Sequence, residues 1–549
     1  PVIGNFQRLE RAEPFFTSSG TQGYMSQAVA VDVNGIIHRA WIANRGIADP
    51  TDPASTPIYG VVYSKSLDGG GSWLDTVSVS GSMTFDLVTP TTDLTGAYST
   101  VDIVVDSKGN PRVAYALEWS GDGIRSVGAA RNSTHSGSGS VRREHHSIQF
   151  NYSNDGGSSW LPANSVVVLS DTSTVNSDGG TNNYPGRNAA FPRMAVTSTD
   201  DIFIVYEADL LIHTGGNGAP GTDIVLAKMD ADSLTLGSAQ PVRIGASGVV
   251  GSYGGIVIDV EADDGTSPDI AIGDGDVIHI AYFKPNGAAT AGLILHKQLQ
   301  ADEWSDQTAT GWQLDTDGST VGKFNDNAAT NAAIIDDGTT TDADHIDANT
   351  TGIHLFPTIV VDKARTPDLV YVLWKHAGDQ SIVGNAENIA YNSDTYDGAV
   401  GAGASWPASP SMAFSASPTG FDNTSGGPLF QTGTKHTIEK YWNFVDRVAA
   451  VVDDRKVTEG DLHIVFSAGS SAVSRTGHAS SLYYSRYNGV EWELPQVVAS
   501  ALDAKGAEDA SPYGVAKKFR ALFEPDIGLR SGDDNLYLSF VGGSPIVNP

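Results

Sequence analysis

The chain of 549 residues has no cysteine and only five methionines, and its 33 Lys+Arg face 64 Asp+Glu. Without thiols it cannot be a disulfide scaffold, a Cys-ligated zinc or iron–sulfur protein, or a thiol enzyme. The shortage of cations gives a formal charge of −31. That excludes a nucleic-acid binder of the ordinary basic kind, which needs a net positive face. No apolar run reaches the roughly 18 residues of a membrane-spanning helix, so no membrane insertion is expected. Disorder is excluded by 40% hydrophobic residues and ten Trp. The chain starts at Pro1 without Met, apolar signal segment or basic leader, which suggests a processed terminus. The acidic composition, absent thiols and many Gly, Ser and Thr point to an extracellular or cell-surface setting.

What is present is a repeat. A short apolar strand ends in Asp or a turn, and a second strand follows with an aromatic near its end. Seven copies end at Trp41, Tyr115, Tyr206, Tyr282, Trp374, Phe466 and Phe540, spaced by 74, 91, 76, 92, 92 and 74 residues. Pro192, Pro268, Pro357 and Pro525 stand at the start of four copies, a position where a strand tolerates proline. Each copy reads as a hairpin. Most copies add a third and a fourth strand downstream, such as YGVVYSKS and DTVSVS in the first. Four antiparallel strands repeated around a ring make a β-propeller. The expected architecture is all-β: one seven-bladed propeller of four-stranded antiparallel blades over residues 1–549. Its blades lie near 28–81, 100–171, 192–245, 268–305, 356–407, 447–500 and 523–549. Residues 1–27 are expected to close the ring on the last blade, the alternative being a disordered tail.

Two segments share the pattern S-x-D-x-G-x-[ST]-W: Ser66, Asp68, Gly70 and Trp73, then Ser153, Asp155, Gly157 and Trp160. Asp accepts local backbone N–H bonds, Gly admits positive φ and Trp packs back on the strands, so each is a turn lock. The pattern resembles the Asp box of sialidase-like (BNR-repeat) propellers. Weaker echoes stand at residues 484–492 and 404–406. The resemblance implies fold rather than chemistry, because Asp boxes lie on the face opposite the active site. A sialidase also needs an arginine triad whose first member comes from an F-R-I-P-type motif. The first strand here, residues 27–32, lacks it.

The few cations are unevenly placed. Arg125, Arg131, Arg142, Arg143, His135, His145 and His146 fall in the connection between the second and third strands of the second blade. Tyr184, Arg187 and Arg193 lead into the third blade; Lys440, Trp442 and Arg447 lead into the sixth. Arg binds carboxylate or sulfate through two parallel bonds, aromatics stack on sugar rings, and His with Tyr can serve as base and acid. This set resembles seven-bladed polysaccharide lyases such as ulvan lyases in fold and residue types, not in a matched motif. The resemblance implies His145 or His146 as base, Tyr184 as acid and Arg187 as carboxylate clamp. Substrate contacts would come from Arg125, Arg142, Arg143, Arg193, Lys440, Trp442 and Arg447. The alternative is a rim of ion pairs that orders loops. His38, His279 and His463 share one repeat position, three before the aromatic, and read as architecture.

Residues 301–350 hold eleven Asp/Glu and one Lys. Asp315, Asp317 and Ser319 look like half of a calcium loop, since Ca²⁺ takes six to eight oxygens from flexible Asp-rich loops. The EF-hand's closing Glu is missing, and a solvated acidic loop is the other reading. No organic cofactor is expected. Two functions stand side by side: a propeller that binds or cleaves an acidic glycan at the loop face of blades 2, 3 and 6, and a non-catalytic surface protein that self-associates or docks a cell-surface partner.

Overall fold

The computed structural model describes residues 24–25, 27–47, 57–80, 83–84, 98–118, 146–162, 167–169, 174–175, 184–185, 189–210, 221–231, 242–244, 250–252, 256–257, 266–285, 292–301, 333–336, 356–376, 388–396, 411–413, 444–453, 460–469, 480–493, 495–500, 521–529 and 535–543. Among them there is no α-helix, and one short 3-10 turn, Asp274–Asp276. The rest is β-structure in small sheets, antiparallel except for the pairing of Tyr24–Met25 with Tyr98–Ser99.

Each of the seven repeated hairpins supplies two neighbouring strands of its own sheet. The first sheet runs Gln27–Val31, Ile37–Ile47, Pro57–Ser66 and Val77–Ser78, with Met83–Thr84 also paired to its third strand. The second runs Val101–Val105, Pro111–Glu118, His146–Tyr152 and Val167–Val168. The third runs Ala189–Val196, Ile202–Leu210, Gly221–Met229 and Ile256–Val257. The fourth runs Thr266–Ile272, Val277–Pro285, Gly292–Gln300 and Ala333–Asp336. The fifth runs Thr358–Asp362, Asp368–His376, Asn388–Tyr396 and Ser411–Met412. The sixth runs Phe444–Asp453, Asp461–Gly469, Ser480–Tyr487 and Gln496–Ser500. The seventh holds two strands among the described residues, Ala521–Leu529 and Leu536–Gly543. The outermost strands of the third, fourth and fifth sheets lie beyond the ranges expected from sequence. Two to four residues are too few to show a period of two, so nothing in the pattern marks them. The chain divides into two compact units. One holds Gln7–Ile278 and Leu299–Asn331; the other holds Pro1–Phe6, His279–Gln298 and Ala332–Pro549.

Asp closes the turns of the first two hairpins. Asp32 Oδ1 accepts the N–H of Asn34 at 2.9 Å and of Ile36 at 2.7 Å. Asp106 Oδ1 does the same for Lys108 and Asn110, at 3.0 and 2.8 Å. Gly35 and Gly109 supply the φ of 76° and 80° that these turns require. The aromatic at the end of each second strand then enters the core. Trp41, Tyr115, Tyr206, Tyr282, Trp374 and Phe466 are all buried, each contributing about 1.5–3 kcal/mol by area. Phe540 of the two-stranded seventh sheet is half-buried.

Side chains, not backbone ladders, join successive sheets. In the first unit, Asp200 takes both the N–H and the hydroxyl of Ser107, at 2.8 and 2.7 Å. Asp276 takes those of Ser198 at 2.7 and 2.6 Å. Asp200 and Asp276 have φ of 67° and 60°, a conformation Asp tolerates better than most residues. In the second unit, Asp362 accepts the Gly460 N–H at 2.9 Å, and Thr358 donates its hydroxyl to the Val448 carbonyl at 2.8 Å.

The two S-x-D-x-G-x-[ST]-W turns are closed by their own side chains. Asp68 Oδ1 accepts the Ser72 N–H and the Ser66 hydroxyl, while Ser66 Oγ accepts the Gly70 N–H. Asp155, Ser159, Ser153 and Gly157 repeat the pattern. Trp160 leaves its turn to meet Tyr63 of the first sheet edge-on, 5.1 Å between ring centroids. Trp492 of the sixth sheet meets Tyr391 of the fifth in the same way, at 5.5 Å. Tyr63 and Tyr391 stand opposite Ala40 and Leu373, the residues just before the repeat aromatics, so the two wedges are equivalent. The echo at residues 484–492 thus has no carboxylate lock but has the tryptophan wedge.

The histidines of the repeat are buried bonds between second and third strands. His38 Nδ1 lies 2.7 Å from Tyr63 Oη, and His463 Nδ1 lies 2.8 Å from Tyr484 Oη. His279 Nδ1 lies 3.1 Å from His296 Nε2, with the rings stacked. Burial holds His296 down at about 3 and His38 at about 4.

Two predictions follow from this packing. A Cβ on Gly157 would collide with the Tyr63 ring, at a φ of 92°; one on Gly70 would meet only Ile37 Cδ1, at 3.7 Å and a φ of 88°. Gly70→Ala therefore costs backbone strain alone, about 1 kcal/mol, and Gly157→Ala about 3 kcal/mol from strain plus overpacking. Urea unfolding of both variants measures the difference. The second concerns acid. The unfolded chain protonates its histidines near pH 6.5, and the fold resists this at His296 down to about 3. Stability is thus complete above about pH 6.5 and is lost as pH falls, by about 2 kcal/mol for His296 alone near pH 5. Urea midpoints between neutral pH and about pH 5 should fall for the native chain, and more shallowly for His296→Phe.

Candidate functional site

Each of the first six sheets has two unlike ends, and register assigns them. At one end the first two strands turn over in a few residues. At the other the chain arrives at the first strand and crosses from second to third. Ala189 pairs with Ala208 and His146 with Glu118, so both kinds of connection leave the second and third sheets at that other, loop-bearing end. The short-turn end is densely bonded. Arg112 donates from Nη2 to Asp106 at 2.7 Å and from Nη1 to the Ser153 carbonyl. Lys65 donates to the Gly156 carbonyl at 2.6 Å, and Asn110 accepts the Gly156 N–H at 3.1 Å. The S-x-D-x-G-x-[ST]-W turns are therefore on the end away from the loops. Hydrogen bonds from Ser72 and Ser66 keep the Asp68 carboxyl down at about 2, and those from Ser153 and Ser159 lower Asp155 likewise.

Besides Asp200 and Asp276 in the short turns, three residues at the loop-bearing end have positive φ. Phe191, Ser267 and Phe356 each precede a proline at the start of a first strand and have φ of 53°, 54° and 45°. Pre-proline residues avoid helical conformations, and bulky residues avoid positive φ, so neighbours must hold them. Thr100 Oγ1 accepts the Phe191 N–H and Glu207 Oε2 the Ser267 N–H, both at 3.0 Å. Glu207 is 1% exposed.

Just inside these starts lies a charged rung. Arg193 stands 3.8 Å from Asp102 and 3.9 Å from Asp269, spanning the first strands of three successive sheets. Asp102 also accepts the Met194 N–H at 2.7 Å. Asp102, Arg193 and Thr358 pair with Ala114, Val205 and Leu373, each just before its repeat aromatic, and Asp269 holds the same place by spacing. The position reads Ala28, Asp102, Arg193, Asp269, Thr358, Ala449 and Asp526 along the chain. Asp102 and Asp269 stand at one repeat position and belong to no cationic cluster, so alignment of the seven copies is the signal that marks them. Chemically the rung offers one guanidinium and two carboxylates, a set that bonds hydroxyl groups. An anionic ligand would share Arg193 with both acids.

Of the other residues singled out by sequence, His146 begins the third strand of the second sheet, opposite Glu118, and Tyr184 pairs with Val175 in a separate two-stranded ribbon. Arg447 lies on the first strand of the sixth sheet with its guanidinium 5.8 Å from the Phe356 ring. Arg125, Arg142, Arg143, His145, Arg187, Lys440 and Trp442 fall outside the described residues, as do Asp315, Asp317 and Ser319. Among the described residues no three His, Asp or Glu side chains are grouped to hold a metal ion.

No protein-family model and no curated protein matches the chain. The solved structures similar to it include a protein of unknown function from Dyadobacter fermentans and several glycan-acting enzymes. One is an ulvan lyase of polysaccharide lyase family PL25 bound to -[GlcA(1-4)Rha3S]-, at 10% identity over 97% of this chain and 94% of that one, TM-score 0.44. The NanB sialidase from Streptococcus pneumoniae is 11% identical over 97% and 67%, TM-score 0.38. An α-L-arabinofuranosidase from Fusarium graminearum is 8% identical over 98% and 93%, TM-score 0.37. Likeness of this degree assigns neither activity nor substrate.

The rung makes its own prediction. Arg193→Gln leaves Asp102 and Asp269 without the guanidinium between them and should cost about 2 kcal/mol of stability. Asp269→Asn in the same chain should recover part of the loss, and a double-mutant cycle on urea unfolding reads that coupling.

Proposed function

We propose that the protein is an extracellular or cell-surface, seven-bladed Asp-box β-propeller that binds or degrades an acidic polysaccharide at the loop-bearing end of its second and third sheets. One observation carries the reading: the connections richest in Arg and His start from the end opposite the bonded turns. The run from 119 to 145, with Arg125, Arg142, Arg143 and His145, leaves Glu118 and returns at His146 on that end. Arg187 precedes the Ala189–Val196 strand, which starts there. Rigid sheets below and long polar connections above are the usual division between scaffold and site.

In this reading the loop cations take the carboxylate or sulfate groups of the glycan, and the Asp102–Arg193–Asp269 rung bonds its hydroxyls. Where cleavage occurs, it is an elimination. His145 or His146 removes the proton beside a uronate carboxylate whose charge Arg187 offsets. The carbon–oxygen bond to the leaving sugar breaks, and Tyr184 returns a proton to the leaving oxygen.

The experiment is incubation with a panel of uronate-containing, sulfated and sialylated glycans. Ultraviolet absorbance reports the unsaturated uronate of elimination, reducing ends report any cleavage, and calorimetry reports binding. Elimination product with uronate polymers is expected, falling on the order of a hundredfold in Arg187→Ala. Binding without product leaves a glycan-binding propeller. Neither binding nor product, together with polymers seen by microscopy, would make the protein a structural surface component.

A further inference from the structure

Among the described residues, several carboxylates that join or close the sheets bond neutral groups, while others meet cations, as Asp102 and Asp269 do at Arg193, Asp201 at Lys228 and Asp461 at Arg486. Asp200 and Asp276 hold serines of the preceding sheet. Asp32 and Asp106 hold hairpin N–H groups, and Asp362 holds the N–H of Gly460. Asp68 and Asp155 close their turns on Ser72 and Ser159. Arg112 on Asp106 and Arg365 on Asp362 add cations to two of these seven. A hydrogen bond from an amide or a hydroxyl brings no opposite charge to a carboxylate, as a Lys or Arg partner would. Fifty of the 64 acidic residues are Asp, and 33 Lys and Arg answer them. The carboxylates that join and close the sheets therefore belong to the −31 that drives them apart.

We propose that the fold is built to be stabilised by bulk monovalent salt, which removes the repulsion while leaving the bonds. The two act over different distances. The staples span 2.6–2.9 Å, well inside the Debye length at any ordinary salt concentration. Repulsion among carboxylates tens of ångströms apart is cut as that length falls from about 10 Å at 0.1 M to about 3 Å at 1 M. Stability accordingly rises with salt.

The test is thermal unfolding of the full chain from about 0.1 M to about 1 M NaCl and KCl, with sucrose and millimolar CaCl₂ as separate arms. A midpoint that rises by several degrees, equally in the two salts, is expected. A flat or falling midpoint overturns the proposal. So does an equal gain from sucrose, and so does a full gain from millimolar CaCl₂ at low salt, which would be the mark of a specific calcium site. Two variants separate charge from bonding. Asp75 and Glu491 are exposed carboxylates outside the staples. Asp75→Lys with Glu491→Lys should raise the midpoint at low salt and leave it unchanged at high salt; no change at low salt counts against the proposal. Asp200→Asn, which loses a staple with its charge, should lower the midpoint at both salts. A rise at low salt would reduce this carboxylate to a source of repulsion and overturn its place in the scheme.

Discussion

Everything in this structure depends on how one small sheet is fastened to the next. Within a sheet the strands are joined by backbone ladders, broken by single bulges in several of them. Between consecutive sheets the fastening falls to side chains. Asp200 on Ser107, Asp276 on Ser198, Asp362 on Gly460, Asp102 on Met194 and Thr358 on Val448 are repeated solutions to that problem. The acceptor is mostly a short carboxylate, which reaches a neighbouring backbone without the entropy cost of a long chain and bonds more strongly than a neutral oxygen. The acidity of the chain is in this sense structural.

The same fastening separates the two ends of the sheets. Turns locked by Asp and Ser, Arg112 in its cradle of Asp106 and the Ser153 carbonyl, and the Trp160 wedge on Tyr63 leave little at the short-turn end free to vary. The opposite end keeps strained starts at Phe191, Ser267 and Phe356, held by single side chains such as Thr100 and Glu207. Strain of this kind persists only where surrounding structure fixes it. It fixes the first strands, and with them Asp102, Arg193 and Asp269, relative to one another.

Much of the fold was legible in the sequence. The hairpins were found because Asp-to-Gly turns and the aromatics from Trp41 to Phe540 recur in step, and each physical role needs that residue type. The two Trp turns were found for the same reason. The outer strands Ile256–Val257 and Ser411–Met412 were not, since two residues carry no period. The site was less legible still. Cationic clusters pointed to the loops, whereas the rung of Asp102, Arg193 and Asp269 hides as single letters inside apolar strands. Only the alignment of strands from different sheets makes it one group.

The sequence by itself determined the all-β class, the sevenfold hairpin repeat, the turn locks and the charge, because these rest on local residue chemistry and spacing. The tertiary structure alone decided which side chains meet across sheets 60 to 98 residues apart in sequence. It decided that His279 bonds His296, that Trp492 takes the place of Trp160 without the carboxylate lock, and that Arg193 stands between two acids. Contacts of that kind depend on how whole sheets stack, and stacking is set by the sum of many buried faces and staples. No single stretch of sequence carries that sum.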